Sequence, residues 1–232
     1  MNDAPIALKD RLEVVRARMA AAAERSGRGP EAVTLVAVVK TVPADGVAGA
    51  LALGLTDLGE NRVQEAEGKI AALGRGCARW HMIGHLQRNK AGRAVELFDR
   101  VHGVDGPELA AALSRRAVEA GRRLPVMIEV NVAGEASKFG VAPEGAGALV
   151  AAIARLPGLA LDGLMTVGPA VARAEDARAG FRRLRALRDR ITGASGTALP
   201  ELSMGMSGDF EVAIEEGSTM VRIGSALFGP RA

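Results

Sequence analysis

The sequence is poor in cysteine and in aromatic residues: its 232 residues include one cysteine, one tryptophan, five phenylalanines and no tyrosine. The single cysteine, Cys77, excludes an intrachain disulfide and a metal site built from several cysteines. No apolar run approaches the ~18 residues that a membrane-spanning helix needs. The N-terminal segment MNDAPIALKDRLEVVRARM carries charges throughout, unlike a signal peptide. We therefore expect a soluble protein of the cytoplasm.

A large charge of one sign is missing as well. The chain has 30 basic and 27 acidic residues, for a net charge of +3, so composition alone does not indicate nucleic-acid binding. Hydrophobic residues make up 48% of the sequence, enough for a sizeable core. Since no interdomain linker is evident, we expect a single domain over residues 1–232, with an N-terminal helix within 1–27 and a barrel over 34–229.

Short apolar runs alternate with longer segments rich in alanine, leucine and arginine. Runs such as PVMIEVNV are apolar on both faces, as parallel strands covered by helices require. Eight such strands separated by helices predict a (β/α)8 barrel, with an open doubly wound sheet as the alternative. The predicted strands are 34–40, 57–60, 79–84, 100–104, 125–132, 159–167, 201–206 and 220–224. The predicted helices are about 5–26, 44–54, 62–73, 88–97, 107–121, 143–155, 172–191 and 209–216.

The first predicted strand belongs to the segment TLVAVVKTVP, residues 34–43, whose apolar run ends at Lys40, one of only five lysines. Functional groups of such barrels gather at the carboxyl ends of the strands. Apolar surroundings favour the neutral amine of a lysine, which can form a Schiff base with an aldehyde. The alternative is a lysine that merely extends into solvent from the strand end.

The C-terminal segment LSMGMSGDFEVAIEEGSTMVRIGSALFG, residues 202–229, contains residues suited to form an anion-binding cradle. Ser207 and Asp209 precede a predicted helix, where an N-cap and exposed N–H groups attract anions. Gly224 and Ser225 follow the last strand, and the loops after strands 7 and 8 commonly hold a phosphate in barrels of this kind. Closure of the barrel would bring this cradle to Lys40. A phosphorylated aldehyde fits both, and pyridoxal 5′-phosphate (PLP) is the obvious candidate.

Arg222 lies two residues before Gly224, so both side chains point to the same face of the strand. An arginine only donates hydrogen bonds. If Arg222 faces the pyridine nitrogen of PLP, that nitrogen must accept and stays unprotonated. The ring is then a poor electron sink, so the site would hold the cofactor but stabilise carbanions weakly.

The segments VAVVKTVP, GENRVQEA, WHMIGHLQRNK, GLMTVG and 202–229 together resemble the pyridoxal phosphate homeostasis proteins, whose fold is similar to the barrel domain of alanine racemase. The resemblance covers residues 30 to 229. It implies that Lys40 carries PLP as an internal aldimine, that Arg222 faces the pyridine nitrogen and that Asn61 lines the pocket. It also implies a phosphate site formed by Ser207, Gly224 and Ser225.

Three other positions bear on the resemblance. Lys138 matches a second lysine that is usual in the family, which we expect near the pocket entrance. Val42 stands where the family often has another lysine, and Arg62 stands where it commonly has an aromatic residue. Any role of those two family residues in cofactor exchange or ring stacking is therefore not expected here.

Two classes of function compete: a non-catalytic PLP carrier of PLP homeostasis, and a PLP-dependent enzyme such as an amino-acid racemase. Racemisation needs acid–base groups on both faces of the substrate α-carbon. Racemases of the resembling fold use a tyrosine and a second, β-rich domain, whereas this chain has no tyrosine and ends three residues after the last motif. A cysteine or histidine could replace the tyrosine. We expect the carrier, with no catalytic residues and with PLP-dependent apoenzymes as candidate recipients.

Two further kinds of ligand are a metal ion and a nucleic acid. His81 and His85 could form a metal pair on a helix, but on a strand they would be roughly 13 Å apart, so we expect no metal site and a pocket-lining or structural His81. His102 is expected to be structural. The arginine-rich segment 172–190 could bind nucleic acid, but its apolar stripe predicts a solvated outer helix instead. No long apolar face suggests a partner subunit, so we expect a monomer.

Overall fold

The computed structural model describes residues 7–135, 137–168 and 173–229, and within them eight parallel strands close into a barrel. Each strand pairs with the next one in the chain, and the eighth pairs with the first. The predicted (β/α)8 barrel is confirmed, and the open-sheet alternative is wrong. The strands are β1 (Thr34–Val38), β2 (Asp57–Glu60), β3 (Arg79–Met82), β4 (Arg100–Val104), β5 (Leu124–Glu129), β6 (Leu159–Met165), β7 (Glu201–Met206) and β8 (Met220–Ile223).

Helices cover the outside of the barrel. In the described ranges they are α1 (Leu8–Arg25), α2 (Ala44–Ala52), α3 (Val63–Leu73), α4 (Ala91–Leu97), α5 (Pro107–Glu119), α6 (Ala146–Ile153), α7 (Arg178–Ser195), α8 (Phe210–Glu215) and α9 (Ser225–Phe228). Within the same ranges, no helix combines the length and the apolar character that crossing a membrane requires.

The N-terminal helix is present as predicted, in the part that the structure describes. α1 contacts α8 and α9, and its apolar residues Leu12, Val15 and Met19 are buried. The chain turns after α1 at Gly27, whose φ of +72° is accessible to glycine at low cost. Positions 5 and 6 of the predicted helix lie outside the described residues.

Some element boundaries differ from the prediction. The helix predicted at 172–191 is α7 preceded by a 3-10 turn, Ala174–Ala177, and position 172 lies outside the described residues. α9 was not predicted, because four residues are too few to show a helical period. β1 ends at Val38, so Lys40 lies two residues beyond the strand and not on it.

The arginine-rich helix α7 has the predicted apolar stripe. Phe181, Leu184, Leu187 and Ile191 are its buried residues. Arg178, on the other side, pairs with carboxylates of α8 and of the chain just after it. Arg178 therefore links this helix to the neighbouring element.

The seam where β1 pairs with β8 closes the barrel and brings together the chain segments that follow these two strands. Ala37 of β1 is in register with Ile223 of β8. Because the strands are parallel, the chain leaves both of them at the same end of the barrel. The segments that carry Lys40 and Gly224 therefore meet there, although they are far apart in the sequence.

The barrel interior contains polar side chains, including His102 and Ser203. Barrels of this class are instead mostly filled with branched aliphatic side chains. Here Met127, Met165 and Met220 form a small apolar cluster apart from the main core. His102 of β4 bonds to Ser203 of β7 (2.9 Å), and this bond crosses the interior because the two strands are not neighbours in the sheet.

Candidate ligand-binding site

A cavity of about 600 Å³ opens at the carboxyl ends of β1 and β8, within the usual range for small-molecule sites. It brings together all six residues predicted to bind a ligand: Lys40, Asn61, Ser207, Arg222, Gly224 and Ser225. These residues come from the ends of β1, β2, β7 and β8. The cavity therefore spans the seam where the barrel closes.

Lys40 reaches the cavity from a sharp turn. Thr41, the next residue, has a φ of +64° and is the one non-glycine residue with positive φ among those described. A β-branched residue in this region is rare and costs about 1–3 kcal/mol. The turn is closed by a bond from Val42 N–H to the Val39 carbonyl (3.0 Å). This strained turn sets the direction in which Lys40 leaves the strand, and Val42 also lines the cavity.

A buried ion pair lies beneath this turn. Lys69 of α3 pairs with Glu60 at the end of β2 and also donates to the Val39 carbonyl (2.5 Å). Glu60 is fully buried, and burial raises its pKa, an effect that Lys69 opposes. The pair therefore ties α3 to the residue that precedes Lys40. Sequence reasoning missed it, since nothing in the sequence marks Lys69 as buried.

The loops after β7 and β8 form another part of the rim. Ser207 Oγ accepts hydrogen bonds from Gly224 N–H (3.3 Å) and Ala226 N–H (3.1 Å), which holds the two loops together. Ser225 is exposed at the same rim. Hydroxyls and backbone N–H groups of this kind suit an oxyanion.

Asp209 differs from its predicted role. It stands at the N-cap position of α8, but its carboxylate accepts from the Met206 N–H (2.6 Å) and makes no capping bond to the helix. The carboxylate thus bonds back to the last residue of β7 and not forward to the helix. Asp209 therefore shapes the rim and does not line the cavity.

Arg222 forms the base of the cavity. It is 4% exposed and donates to Ser203 O (2.8 Å), Ser203 Oγ (2.6 Å) and Thr166 O (2.8 Å). Burial lowers its pKa to about 10, while Glu129 and Asp209 oppose the shift. The guanidinium therefore stays charged at neutral pH and can only donate to a ligand.

The remaining predicted residues fall outside the cavity. Lys138 donates to Glu135 (2.9 Å) and to the carbonyl of Gly168 (3.0 Å), next to the cavity-lining Val167. Arg62 is exposed and pairs with Glu65. Both positions are thus near the site but do not line it.

The histidines have separate surroundings. His81 does not line the cavity and is buried in the barrel interior, as is His102. His85 lies at the surface, pairs with Asp105 (3.2 Å) and stacks on Phe139. No group of three or more histidine, cysteine or acidic residues is placed to hold a metal ion in the part of the chain that the structure describes.

Glu129, at the end of β5, is a buried carboxyl that sequence reasoning missed. Its Oε2 has no hydrogen-bond partner among the described residues. Burial, and to a smaller extent the charge of Asp105, raises its pKa to about 7, although Arg222 opposes the shift. At pH values between the ordinary pKa of glutamate and 7, Glu129 holds a proton more often in the folded protein than in the unfolded chain. The stability of the folded protein therefore falls as the pH rises through this range.

The Glu129→Gln variant is expected to lose this pH dependence. The wild-type protein should lose about 3 kcal/mol of unfolding free energy between pH 4.5 and 8 through this group, and the variant should not. Urea unfolding at the two pH values measures the difference. Glu13→Gln, an exposed change on α1, is the control. Equal pH dependence of the wild-type and Glu129→Gln proteins would contradict the buried, protonated carboxyl.

Comparison with known proteins agrees with this architecture. The family model described as "Alanine racemase, N-terminal domain" matches residues 11–232. The chain is 46% identical over 224 residues to the pyridoxal phosphate homeostasis protein of Pseudomonas aeruginosa, covering 97% of this chain and 96% of that one. It is 45% identical over 222 residues to that of Aquifex aeolicus, covering 96% and 97%.

Solved structures give the same relationship. PipY of Synechococcus elongatus PCC7942 matches with a TM-score of 0.87 without PLP and 0.84 with PLP bound, at 36% and 35% identity, over 96% of this chain and 100% of that chain. D-threonine aldolase from Filomicrobium marinum shares the fold alone, with a TM-score of 0.73 at 22% identity. The chain therefore belongs to the alanine racemase N-terminal domain family and, within it, to the pyridoxal phosphate homeostasis proteins.

Proposed function

We propose that this protein binds PLP in the cavity at the β1–β8 seam and serves PLP homeostasis as a carrier, without turnover. The observation that carries the proposal is one cavity that unites a lysine amine with a rim of hydroxyl and N–H donors. The PLP-bound form of the similar PipY and the names of the curated relatives support it.

The residues present fit PLP chemically. Lys40 would hold the aldehyde carbon covalently through Nζ. Ser207 and Ser225 would hold the phosphate with their hydroxyls, and Gly224 would do so with its N–H, for which the phosphate would replace Ser207 Oγ as acceptor. Arg222 would donate to the pyridine nitrogen, and Asn61 would line the side of the pocket. Free PLP is a reactive aldehyde, and when bound it supplies an electron sink whose strength depends on protonation of the ring nitrogen.

The donor-only character of Arg222 favours a carrier over an enzyme. A guanidinium cannot accept a hydrogen bond from a protonated ring nitrogen, so the nitrogen facing it accepts instead, stays unprotonated, and leaves the electron sink weak. Among the described residues that line the cavity, Lys40 is the one side chain suited to act as a general base. Racemisation needs a second acid–base group on the other face. The described residues that line the cavity do not supply this second group, which the alternative function, a PLP-dependent racemase or related enzyme, would need.

The ultraviolet–visible spectrum of the purified protein, before and after PLP is added, tests binding. We expect a yellow protein whose absorbance differs from that of free PLP. To test turnover, the loaded protein is incubated with a panel of amino acids in deuterated water. No rapid exchange of the α-proton for deuterium is expected. Rapid exchange in any of the amino acids would show that the protein is an enzyme and not a carrier.

Several finer points stay predictions. PLP-dependent apoenzymes are the candidate recipients of the cofactor, and the predicted setting is the cytoplasm. A monomer that forms a single domain over residues 1–232 is the predicted state. Size-exclusion chromatography with light scattering measures the oligomeric state directly.

A further inference from the structure

Arg222 is the first member of a row of hydrogen bonds that leads away from the cavity. Its Nη1 donates to Ser203 Oγ (2.6 Å), and Ser203 Oγ lies 2.9 Å from His102 Nδ1. Ser203 and His102 are completely buried. The row therefore passes from β8 through β7 to β4, across the barrel interior.

The row continues towards the opposite end of the barrel. His102 Nε2 lies 2.9 Å from His81 Nδ1, and His81 Nε2 lies 3.0 Å from Asp57 Oδ1. Asp57 also accepts two hydrogen bonds from Arg79 (2.7 and 2.6 Å). Arg79 is largely exposed, and both Asp57 and Arg79 are the first residues of their strands. The row thus connects the cavity with the amino-terminal ends of the strands.

The two ends determine the direction of every bond between them. Burial opposes ionisation of Asp57, but hydrogen bonds from His81 and Arg79 outweigh it and hold the pKa of Asp57 well below its ordinary value. An ionised carboxylate only accepts, so His81 must carry its proton on Nε2. At the other end Arg222 only donates, so Ser203 Oγ accepts from it and keeps its own proton to donate.

The two imidazoles then have one arrangement that satisfies every atom without an added charge. If His81 is neutral, its Nδ1 accepts from His102 Nε2–H, and His102 Nδ1 accepts from the Ser203 hydroxyl. The reverse direction would require a doubly protonated His81. It would add a cation to an interior that already holds Arg222. Burial is the main cause that lowers the pKa of His102 well below its ordinary value, and the charges of Arg222 and Arg100 add to it, which keeps that ring neutral.

We infer that these residues form a one-directional hydrogen-bond chain that positions the Arg222 guanidinium and couples it to the opposite end of the barrel. We call this set the interior chain: Arg222, Ser203, His102, His81, Asp57 and Arg79. All of its members except Arg222 act as positioning residues. The effect on a bound ligand rests on the proposed function, because Arg222 would face the PLP ring nitrogen. The tautomers of the two histidines do not depend on any ligand.

Long-range proton–nitrogen NMR of the 15N-labelled, ligand-free protein tests the chain. At pH 7 we expect His81 and His102 to be neutral with the proton on Nε2, whereas surface His85 serves as the internal reference. Single His→Gln variants assign the signals. A proton on Nδ1 of either buried ring, or an imidazolium at His81, overturns the inference, and this measurement needs no variant other than those used for assignment.

Coupling along the chain is tested with Asp57→Asn. The change should shift the nitrogen signals of both His81 and His102, and it should move the absorbance maximum of the PLP-loaded protein. Asp189→Asn is the control, since Asp189 pairs with Arg188 (2.6 Å) on the outer helix α7 and lies outside the chain. A response confined to His81, or an equal response to both variants, overturns the coupling. If the wild-type protein shows the expected tautomers but takes up no PLP, the proposed function fails and the interior chain stands.

Discussion

Replacing Lys69 with methionine is expected to lower the free energy of unfolding by about 3–5 kcal/mol, as removal of one partner of a buried ion pair does. The change leaves the fully buried Glu60 carboxylate without its cation. It also removes the bond to the Val39 carbonyl. Because Lys69 opposes the rise in the pKa of Glu60, the loss should be larger at pH 8 than at pH 5. Urea unfolding followed by circular dichroism measures it.

Two further variants show whether the loss comes from the uncompensated charge. Lys9→Met changes an exposed lysine on α1 and should shift the unfolding free energy by less than about 0.5 kcal/mol. The double variant Lys69→Met with Glu60→Leu replaces the pair with apolar groups and should recover most of the loss. A double variant as unstable as Lys69→Met alone would contradict this explanation.

The Lys40→Ala variant should bind PLP at least about 100-fold more weakly, a loss of about 2.7 kcal/mol. The reason is that Lys40 is the one lysine that lines the cavity among the described residues, so no other amine can hold the aldehyde there. PLP retained after extensive dialysis is measured by absorbance. The circular dichroism spectrum should remain that of the wild-type protein.

Lys138→Ala is the control for this variant. Lys138 ties two neighbouring loops together but does not line the cavity, so its loss should leave most of the bound PLP in place. Retention of PLP by Lys40→Ala, together with its release by Lys138→Ala, would move the attachment site to the second lysine.

The barrel and the gathering of the site were predictable from sequence because their signals are local. The strands are apolar on both faces, and parallel strands place their carboxyl ends together. Lys40 follows the first strand, and Gly224 follows the last. Closure of the sheet was therefore enough to predict that these residues would line one cavity.

Side-chain direction and pairing at long range could not be predicted. His102 and Ser203 are about a hundred positions apart in the sequence, and only the barrel geometry brings them to 2.9 Å. The sequence marks Lys69 and Glu129 as ordinary charged residues, and their burial follows from the packing of elements around them. Asp209 shows the limit of capping patterns, since its carboxylate accepts from the N–H of the last residue of β7 and not from the helix.

Mapping the attachment site tests the central claim most directly. The PLP-loaded wild-type protein is reduced with borohydride, digested and analysed by mass spectrometry, which locates the pyridoxyl group on one of its five lysines. We expect the added mass on the peptide that contains Lys40. A pyridoxyl group on Lys9, Lys69, Lys90 or Lys138, with Lys40 unmodified, would contradict the account.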